Sequence, residues 1–502
     1  MADAALNTVD RPSGLQRRLF TGVFWLLLLN LLVKPFWILG VEVGVQNAVG
    51  SEAYGLYFAV FNLSYIFNIV LDLGITNFNT RNIARHPVLI NKHLSGILGV
   101  KILLLALYAV ITFGAGLMLG YDSYQFRLLA WLSLNQFLSS LILYLRSNFE
   151  GLLLFRWDSL LSVLDRLLMI LICGLLLWGP AHISGGRFTI FHFVYAQTAA
   201  YLATALTALA VLSRKTSFRR LRFNRLFTLA VLKQSLPFAL LVLLMASYNR
   251  LDPVLLQRLS RGGAGNFNAG IYAGAFRLLD ALTMVAYLVS VVLLPVFSKM
   301  TDPLSVSSRG LQPLSSTVKT MTSLMLVFSV TAACTLSSAG AGLMALFYND
   351  HIADHAAVFR ILIFCLIPVS CTYLFGTLLT AAGQLRLLNR YAAASLLLNL
   401  LVNLLCIPRW GAVGSAWAAL SAQTFMAVAQ IIASLRIFSL RPSRAYISKL
   451  FYFTFIIIAC TCCAPHFVWW INIPVVAAVA LVLAFVLKLV DTREIIRIIQ
   501  QH

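Results

Sequence analysis

The chain has 502 residues, of which 60% are hydrophobic and 11% charged, and this composition excludes a soluble globular protein because soluble domains carry about a quarter charged residues. The formal net charge of +22 would favour nucleic-acid binding in a soluble protein, but Lys and Arg fall mostly in alternate loops, as the positive-inside bias of membrane proteins predicts. We therefore expect a polytopic membrane protein with no nucleic-acid partner.

Apolar stretches of about 20 residues, each long enough to cross a bilayer as an α-helix, recur along the whole chain. About fourteen of them are separated by polar or Gly/Pro-containing loops. The predicted helices are 20–43, 53–75, 94–120, 124–149, 157–179, 188–213, 235–256, 269–297, 318–342, 356–382, 388–407, 413–438, 449–469 and 472–490. An even number of helices places both termini on the same side of the membrane.

Basic residues mark the cytoplasmic side. Arg11, Arg17 and Arg18 precede the first helix, and the linker after the sixth helix is strongly basic. The opposite loops hold acids such as Glu52 and Asp350. Because Lys and Arg concentrate in cytoplasmic loops, we expect both termini and the linker to be cytoplasmic.

The basic linker also separates two halves that look like distant copies. Gly55-Leu56-Tyr57 lies near the start of the second helix, and Gly270-Ile271-Tyr272 near the start of the eighth. Six-helix repeats keep the same orientation, since the helix number is even. The fold class predicted is therefore an all-α polytopic membrane protein with two pseudo-symmetric six-helix bundles plus two C-terminal helices. The expected divisions are 1–213, the linker 214–234, 235–438, and 439–502 with the last two helices.

Five basic side chains lie inside predicted helices, where a charge is costly unless it has a partner or lines water. They are Lys34, Lys101, Arg166, Arg250 and Arg277. At about 1.5 Å per residue, Lys34, Arg250, Arg277 and the second-helix Asn62 reach similar depths in the outer half of the bilayer. These four residues are predicted to surround a cavity that binds an anion.

A structural alternative exists for the same charges. Asp252 is two residues from Arg250, and Asp280 is one turn from Arg277, so these pairs could lock the seventh and eighth helices together. Lys34 has no acid nearby in sequence, which favours the anion site. Pro253 is expected to kink the seventh helix beside these charges.

Three further groups of polar residues lie inside the predicted helices. Lys101 is expected to snorkel to the cytoplasmic surface. Asp165 and Arg166 are expected to lie on different faces of the fifth helix without pairing, one of them facing the cavity. Asn399 and Asn403, one turn apart, could be interhelical contacts or ligand contacts.

We expect no enzymatic activity, cofactor or metal. Asp350, His351, Asp354 and His355 have a spacing that could hold a metal, but a short outer loop more often places such residues at a solvated helix start. No Gly-rich loop followed by Lys-Ser or Lys-Thr occurs, so ATP hydrolysis is not expected.

Three segments form a recognisable combination: Glu52-Ala-Tyr-Gly-Leu-Tyr57 through Asn62 to Leu71-Asp-Leu-Gly74, then Gly270-Ile-Tyr272 to Arg277 and Leu294 to Lys299, and finally Asn399 through Asn403 to Gly411. Together they resemble bacterial polysaccharide transporters of the multidrug/oligosaccharidyl-lipid/polysaccharide exporter superfamily. The resemblance implies two bundles around a central cavity, alternating access, and a flippase of the bacterial inner membrane. Its substrate would be an undecaprenyl-pyrophosphate-linked oligosaccharide, such as a lipopolysaccharide O-antigen unit.

For such a substrate, the depth and charge of the polar residues within the predicted helices assign roles to particular residues. Lys34, Arg250, Arg277 and Asn62 would bind the pyrophosphate; Asp252, Asp280 or Asp165 would couple transport to protons; Arg166, Asn399 and Asn403 would line a secondary polar cavity. Membrane lipids, a polysaccharide polymerase and glycosyltransferases are the expected partners. The alternative is a cation-coupled drug or metabolite antiporter, but the antiporters usually carry a membrane-embedded acid in the first helix, where this chain has Lys34.

Overall fold

The computed structural model describes residues 32–33, 35–76, 79–80, 83, 90–152, 154–179, 188–214, 239–301, 312–463 and 469–489. Within these ranges the chain forms helices and no β-strand. The candidate residue Lys34, nearly all of the basic linker and both termini lie outside the described residues.

The first half begins with a π-helical turn at Trp37–Glu42. Its α-helices are α1 (Val43–Val49), α2 (Ser51–Ile66), α3 (Ile90–Met118), α4 (Ser123–Gly151), α5 (Phe155–Trp178) and α6 (Ile190–Ser213). A helix satisfies its own backbone hydrogen bonds, which is why apolar runs adopt it in hydrocarbon. Local sequence sets the start of α4, where Asp122 Oδ1 accepts a hydrogen bond from Gln125 N at 2.7 Å in a capping box,.

The second half contains ten further described α-helices. They are α7 (Ala239–Arg250), α8 (Asp252–Leu259), α9 (Gly265–Met300), α10 (Gln312–Ser338), α11 (Gly340–Phe347), α12 (Ile352–Leu362), α13 (Leu366–Ala381), α14 (Leu385–Ile437), α15 (Arg444–Cys463) and α16 (Trp469–Val486).

Among the described residues, 11 helices are long and apolar enough to cross a membrane, or 12 if α7 and α8 form one span. One of the 11 is α14, whose 53 residues would extend about 80 Å, well over twice the hydrocarbon thickness. It is interrupted at Gly411, which has φ 52° and ψ −128°. The chain is a multi-pass membrane protein; the count of fourteen stays a prediction, since most of the first predicted helix is not described.

The expected kink at Pro253 is confirmed. The helices α7 and α8 are inclined by 47° to each other, and Pro253 is in the first turn of α8. Proline cannot donate a backbone hydrogen bond and its ring clashes with the preceding turn. The kink separates Arg250, at the end of α7, from Asp252, at the start of α8.

The described residues fall into two compact units, one within Met1–Ala48 and Phe67–Ala239, the other within Val49–Ile66 and Leu240–His502. The first unit has an apolar core that includes Tyr144, Leu145 and Phe149 of α4. In the second unit α2 packs against α8 and α9. The second predicted helix is therefore divided, because its N-terminal part, α2, groups with the second unit and its remainder with the first.

Candidate functional site

Arg277 is buried in α9, with 3% of its surface exposed. Its guanidinium carbon lies 4.1 Å from the ring centroid of Tyr54 in α2. Its Nη1 donates a hydrogen bond to the hydroxyl of Tyr348 at 3.1 Å, and that hydroxyl donates to the carbonyl oxygen of Gly274 at 3.2 Å. The cation is therefore oriented by an aromatic face and a neutral hydroxyl.

Arg250 ends α7 and lies beside the same helix, α2. Its guanidinium carbon is 5.2 Å from the ring centroid of Tyr65 and 5.1 Å from that of Phe276. Its Nη2 is 3.7 Å from Oδ1 of Asp280. The sequence predicts Asp280 as a counter-ion of Arg277 within one helix; the ion pair that the structure shows joins Asp280 to Arg250 of the neighbouring helix.

Asp252 is buried at the kink, with 1% exposed surface, and the described hydrogen bonds of its carboxylate come from uncharged donors. Oδ2 accepts from the hydroxyl of Tyr272 at 2.8 Å. Oδ1 accepts from Nδ2 of Asn399 at 3.0 Å and from Nδ2 of Asn403 at 2.7 Å. The sequence predicts Asp252 as the counter-ion of Arg250, but the structure gives it three neutral partners from α9 and α14. Asn399 and Asn403 thus make the interhelical contacts that were one of their two interpretations.

Asn62, the fourth residue predicted for the anion site, is fully buried. Its Nδ2 donates to the carbonyl oxygen of Phe58 one turn earlier at 2.7 Å. The structure therefore brings Arg250 and Arg277 against the aromatic side chains of α2, while Asn62 bonds within α2. Lys34 is outside the described residues.

The polar residues of α5 belong to the first unit. The expectation that Asp165 and Arg166 do not pair is wrong, because Arg166 Nε lies 3.8 Å from Asp165 Oδ2. The long arginine side chain can fold back along the helix to its neighbour. Arg166 Nη1 also donates to the hydroxyl of Tyr201 at 3.5 Å, and the guanidinium lies 5.7 Å from the ring centroid of Trp37.

The expectation that Lys101 snorkels to the surface is also wrong. Only 1% of its surface is exposed, and Nζ donates to Oδ1 of Asp72 at 3.1 Å and to Oγ of Ser140 at 2.7 Å. An acid and hydroxyl within reach stabilise a buried ammonium group that would otherwise extend to water.

The four residues with metal-ligand spacing do not form one cluster at the start of α12. His351 and Asp354 are exposed, and Nδ1 of His351 lies 3.6 Å from Oδ2 of Asp354, as expected of a solvated helix start. His355 is buried, stacks on Tyr348 at 4.3 Å, and its Nδ1 lies 3.1 Å from the carbonyl oxygen of Ile271. Within the described ranges no three His, Cys, Asp or Glu residues are placed to hold a metal ion.

The aromatic partners of the arginines are absent from the sequence prediction. Tyr54, Tyr65, Tyr272 and Tyr348 all contact a charged group of the candidate site. The sequence does contain one signal for two of these tyrosines, a glycine near the start of the same helix. Tyr54 is adjacent to Gly55, and Tyr272 lies two residues after Gly270. Spacing alone could not assign these tyrosines to particular charges.

A family model described as "Polysaccharide biosynthesis protein" matches residues 19–301 of the chain. No curated protein matches the chain at a significant level. The match covers more than half of the chain and includes α1 to α9.

Solved structures show the same fold at low sequence identity. The lipid II flippase MurJ in an inward closed conformation is 13% identical with a TM-score of 0.68, covering 95% of this chain and 99% of that chain. An inward-facing multidrug resistance MATE family transporter of the MOP superfamily is 14% identical with a TM-score of 0.63, covering 81% and 94%. The Vibrio cholerae MATE transporter VcmN is 18% identical with a TM-score of 0.55, covering 87% and 99%.

Proposed function

Because the chain belongs to the polysaccharide biosynthesis protein family, we propose that it is a flippase for an undecaprenyl-pyrophosphate-linked oligosaccharide. It would move an O-antigen unit or another surface-polysaccharide unit from the inner to the outer leaflet of a bacterial inner membrane by alternating access. Its termini would be cytoplasmic. Its partners would be glycosyltransferases and a polysaccharide polymerase. The two bundles that alternate would be the six-helix halves predicted from the sequence.

This proposal rests mainly on two arginines within apolar helices, Arg250 of α7 and Arg277 of α9. Both guanidinium groups lie against aromatic rings of α2. Cation–π contacts such as those of Arg250 and Arg277 contribute about 0.5–2 kcal/mol each,. A phosphate group offers an arginine bidentate, charge-assisted hydrogen bonds that are stronger than neutral ones. A pyrophosphate can therefore displace the tyrosine rings from both guanidinium groups. Lys34 and Asn62 are proposed to complete this site.

We further propose that Asp252 is the proton-coupling group. Its carboxylate accepts three hydrogen bonds from neutral donors, and protonation would convert one acceptor position into a donor and break part of this network. Asp252 begins α8, so the change would act directly on the kink. Asp280 and Asp165 are the weaker candidates because each already lies beside an arginine.

Arg166 in the first unit and, separately, Asn399 and Asn403 in the second are proposed to contact sugar hydroxyl groups. Arg166 is within reach of the hydroxyl of Tyr201, and such mixed donors suit an uncharged glycan. The cation-coupled drug or metabolite antiporter remains the competing function. A positively charged pocket would repel the cationic drugs of such an antiporter.

Ligand binding distinguishes these functions directly. Purified protein in detergent is heated with undecaprenyl pyrophosphate or with the uncharged undecaprenol, and the unfolding temperature is measured. We expect the pyrophosphate to raise the unfolding temperature and the prenol to have little effect, because the arginines bind the charged group. The exposed Arg261 provides the matched control: Arg261→Ala should keep the shift that Arg277→Ala loses. Equal shifts with both lipids would contradict the proposed anion site.

A further inference from the structure

We propose that Tyr287 of α9 and Tyr373 of α13 form an aromatic corner on which a sugar ring of the lipid-linked glycan stacks. Both residues belong to the second unit, as does Arg250. The inference rests on the proposed function, because the pyrophosphate at the arginines is what brings the glycan to this surface. It deepens that function by assigning a sugar-binding site and the part of the sugar that is recognised, the apolar face of a pyranose ring.

The two tyrosine rings meet at an angle and leave ring surface uncovered. Their centroids are 5.9 Å apart and their planes are inclined by 66°, which is the edge-to-face geometry that aromatic pairs prefer. Tyr287 keeps 48% of its surface exposed, and Tyr373 is partly exposed. One ring can therefore act as a floor and the other as a wall for a flat ligand.

The exposed surface of Tyr287 lies on the charged flank of α9. Phe276, Asp280 and Tyr287 are four and seven residues apart, a spacing that places them on one face of a helix. Asp280 has 43% of its side chain exposed, and a charged side chain is costly in lipid, so this flank lines water. The exposed Val285 and Val292 lie on a different flank, where lipid contact is expected.

The exposed side of α13 is also unlike a lipid-facing surface. Beyond Cys371, the residues of this helix that are not buried are Tyr373, Gly376, Thr377, Thr380 and Ala381. None of them has the branched aliphatic side chain that is usual at lipid-facing positions. The side of α13 that carries the two threonines and the charged flank of α9 thus adjoin at the contact between Tyr287 and Tyr373.

The corner continues the surface at which the pyrophosphate is proposed to bind. Arg250 lies against Phe276 and beside Asp280, and Tyr287 follows Asp280 by seven residues, about 10 Å along the helix axis. A glycan is joined directly to the pyrophosphate, so its first sugars can extend from the arginine to the corner. The prenyl chain of the same lipid is a poor occupant, because it would cover Asp280 with hydrocarbon.

A pyranose ring matches both chemical components of this surface. Its axial C–H bonds form an apolar face that stacks on an aromatic ring, and its hydroxyl groups project from the ring edge. The carboxylate of Asp280 accepts hydrogen bonds from such hydroxyls, and so does Oγ1 of Thr377, which donates its own hydrogen to the carbonyl oxygen of Tyr373,. Ligand sites generally combine aromatic walls with a few polar groups of this kind.

The test compares two lipids that have the same prenyl chain and the same charge. Undecaprenyl pyrophosphate carrying one N-acetylglucosamine and the methyl ester of undecaprenyl pyrophosphate are titrated into the purified full-length protein, and the ratio of their Kd values is measured. This ratio isolates the contribution of the sugar. The wild-type protein should bind the glycosylated lipid about tenfold more tightly, and equal affinities would overturn the proposal.

Leucine variants of the corner remove the flat ring but keep an apolar side chain. Tyr287→Leu and Tyr373→Leu should each weaken binding of the glycosylated lipid about fivefold and leave binding of the methyl ester unchanged. Tyr287→Phe keeps the ring and should keep the preference for the sugar. A loss in Tyr287→Phe as large as in Tyr287→Leu would contradict stacking, because the hydroxyl group would then be responsible.

Tyr452 of α15 provides the matched control, since it belongs to the same unit and is 57% exposed. Tyr452→Leu should keep the wild-type ratio of the two Kd values. The same loss of preference in this variant would count against the corner, because it would show a general effect of removing an exposed tyrosine. The comparison in the wild-type protein needs no substitution, so it decides the question even where a variant does not accumulate.

Failure of this inference and failure of the proposed function give different results. If neither lipid binds, the proposed function is contradicted and the sugar site with it. If both lipids bind with equal affinity, the proposed function stands and the sugar site alone is overturned. Equal affinities for the lipids, together with binding of a cationic aromatic drug that Tyr287→Leu abolishes, would assign the corner to the competing antiporter.

Discussion

Gly55 of α2 and Gly270 of α9 occupy equivalent positions at a helix crossing that no larger residue would permit. A Cβ atom on Gly55 would overlap the carbonyl oxygen of Asn266, and one on Gly270 would overlap that of Ser51. Each obstructing oxygen belongs to the residue four positions before the opposite glycine. The contact is therefore reciprocal, as expected if the two glycines are equivalent positions of a repeat.

Gly55→Ala and Gly270→Ala should each force α2 away from α9. The obstructing atoms are backbone oxygens that cannot rotate away. We therefore expect overpacking to lower the free energy of unfolding by about 1–3 kcal/mol or more. The measurement is thermal unfolding in detergent, together with disulfide formation between Phe58→Cys and Phe276→Cys.

Gly99 of α3 is the matched control, because a Cβ there would meet no atom within 4 Å. Gly99→Ala should leave the protein as stable as wild type or slightly more stable, since alanine favours helices. An equal loss in all three variants would contradict the close crossing.

Arg277→Lys should weaken binding of the pyrophosphate lipid although the charge is kept. Lysine lacks the planar fork that stacks on Tyr54 and binds phosphate oxygens in pairs. We expect an affinity loss of about tenfold, the size of one charge-assisted hydrogen bond, measured by titration with undecaprenyl pyrophosphate. Arg261→Lys should bind like wild type; retention of full affinity by Arg277→Lys would remove Arg277 from the site.

Asp252→Asn should abolish the dependence of transport on an imposed pH gradient. The amide is close in size to the carboxylate and keeps one oxygen as an acceptor for Asn399 and Asn403, so the protein should still fold. Flipping is measured with and without a pH gradient across the vesicle membrane. Asp280→Asn is the comparison variant, and gradient dependence that survives Asp252→Asn but not Asp280→Asn would transfer the coupling role to Asp280.

The basic linker should be accessible from the cytoplasm. A cysteine introduced in place of Arg222, in the predicted linker 214–234, should react with an impermeant maleimide only from the cytoplasmic side. A cysteine in place of Asp354, which is exposed at the start of α12, should react only from outside. The opposite pattern would invert the predicted topology and with it the depth argument for Lys34, Arg250 and Arg277.

The fold class and the kink at Pro253 were predictable because both depend on local sequence. Hydropathy shows which segments enter the membrane, and proline disrupts the helix that contains it. The arginines could also be identified, since a charge within an apolar run is conspicuous in the sequence.

The partners of these charges were not predictable, because they come from distant segments. Lys101 meets Ser140, and Arg277 meets Tyr54, but sequence spacing contains no information about which helix faces pack together. Asp252 illustrates the error that follows: its nearest cation in sequence is Arg250, whereas its carboxylate bonds to Tyr272, Asn399 and Asn403. Proximity in sequence was a poor guide across a kink.

Flipping of a defined lipid by the purified protein tests the central claim most directly. Vesicles contain undecaprenyl pyrophosphate carrying a short fluorescent oligosaccharide, and a membrane-impermeant reductant bleaches only the outer leaflet. The account predicts that wild-type protein exposes the inner-leaflet pool to bleaching, and that Arg250→Ala and Arg277→Ala slow this exposure while Arg261→Ala does not. Bleaching confined to the outer leaflet, as in protein-free vesicles, together with uptake of a cationic drug driven by an ion gradient, would contradict it.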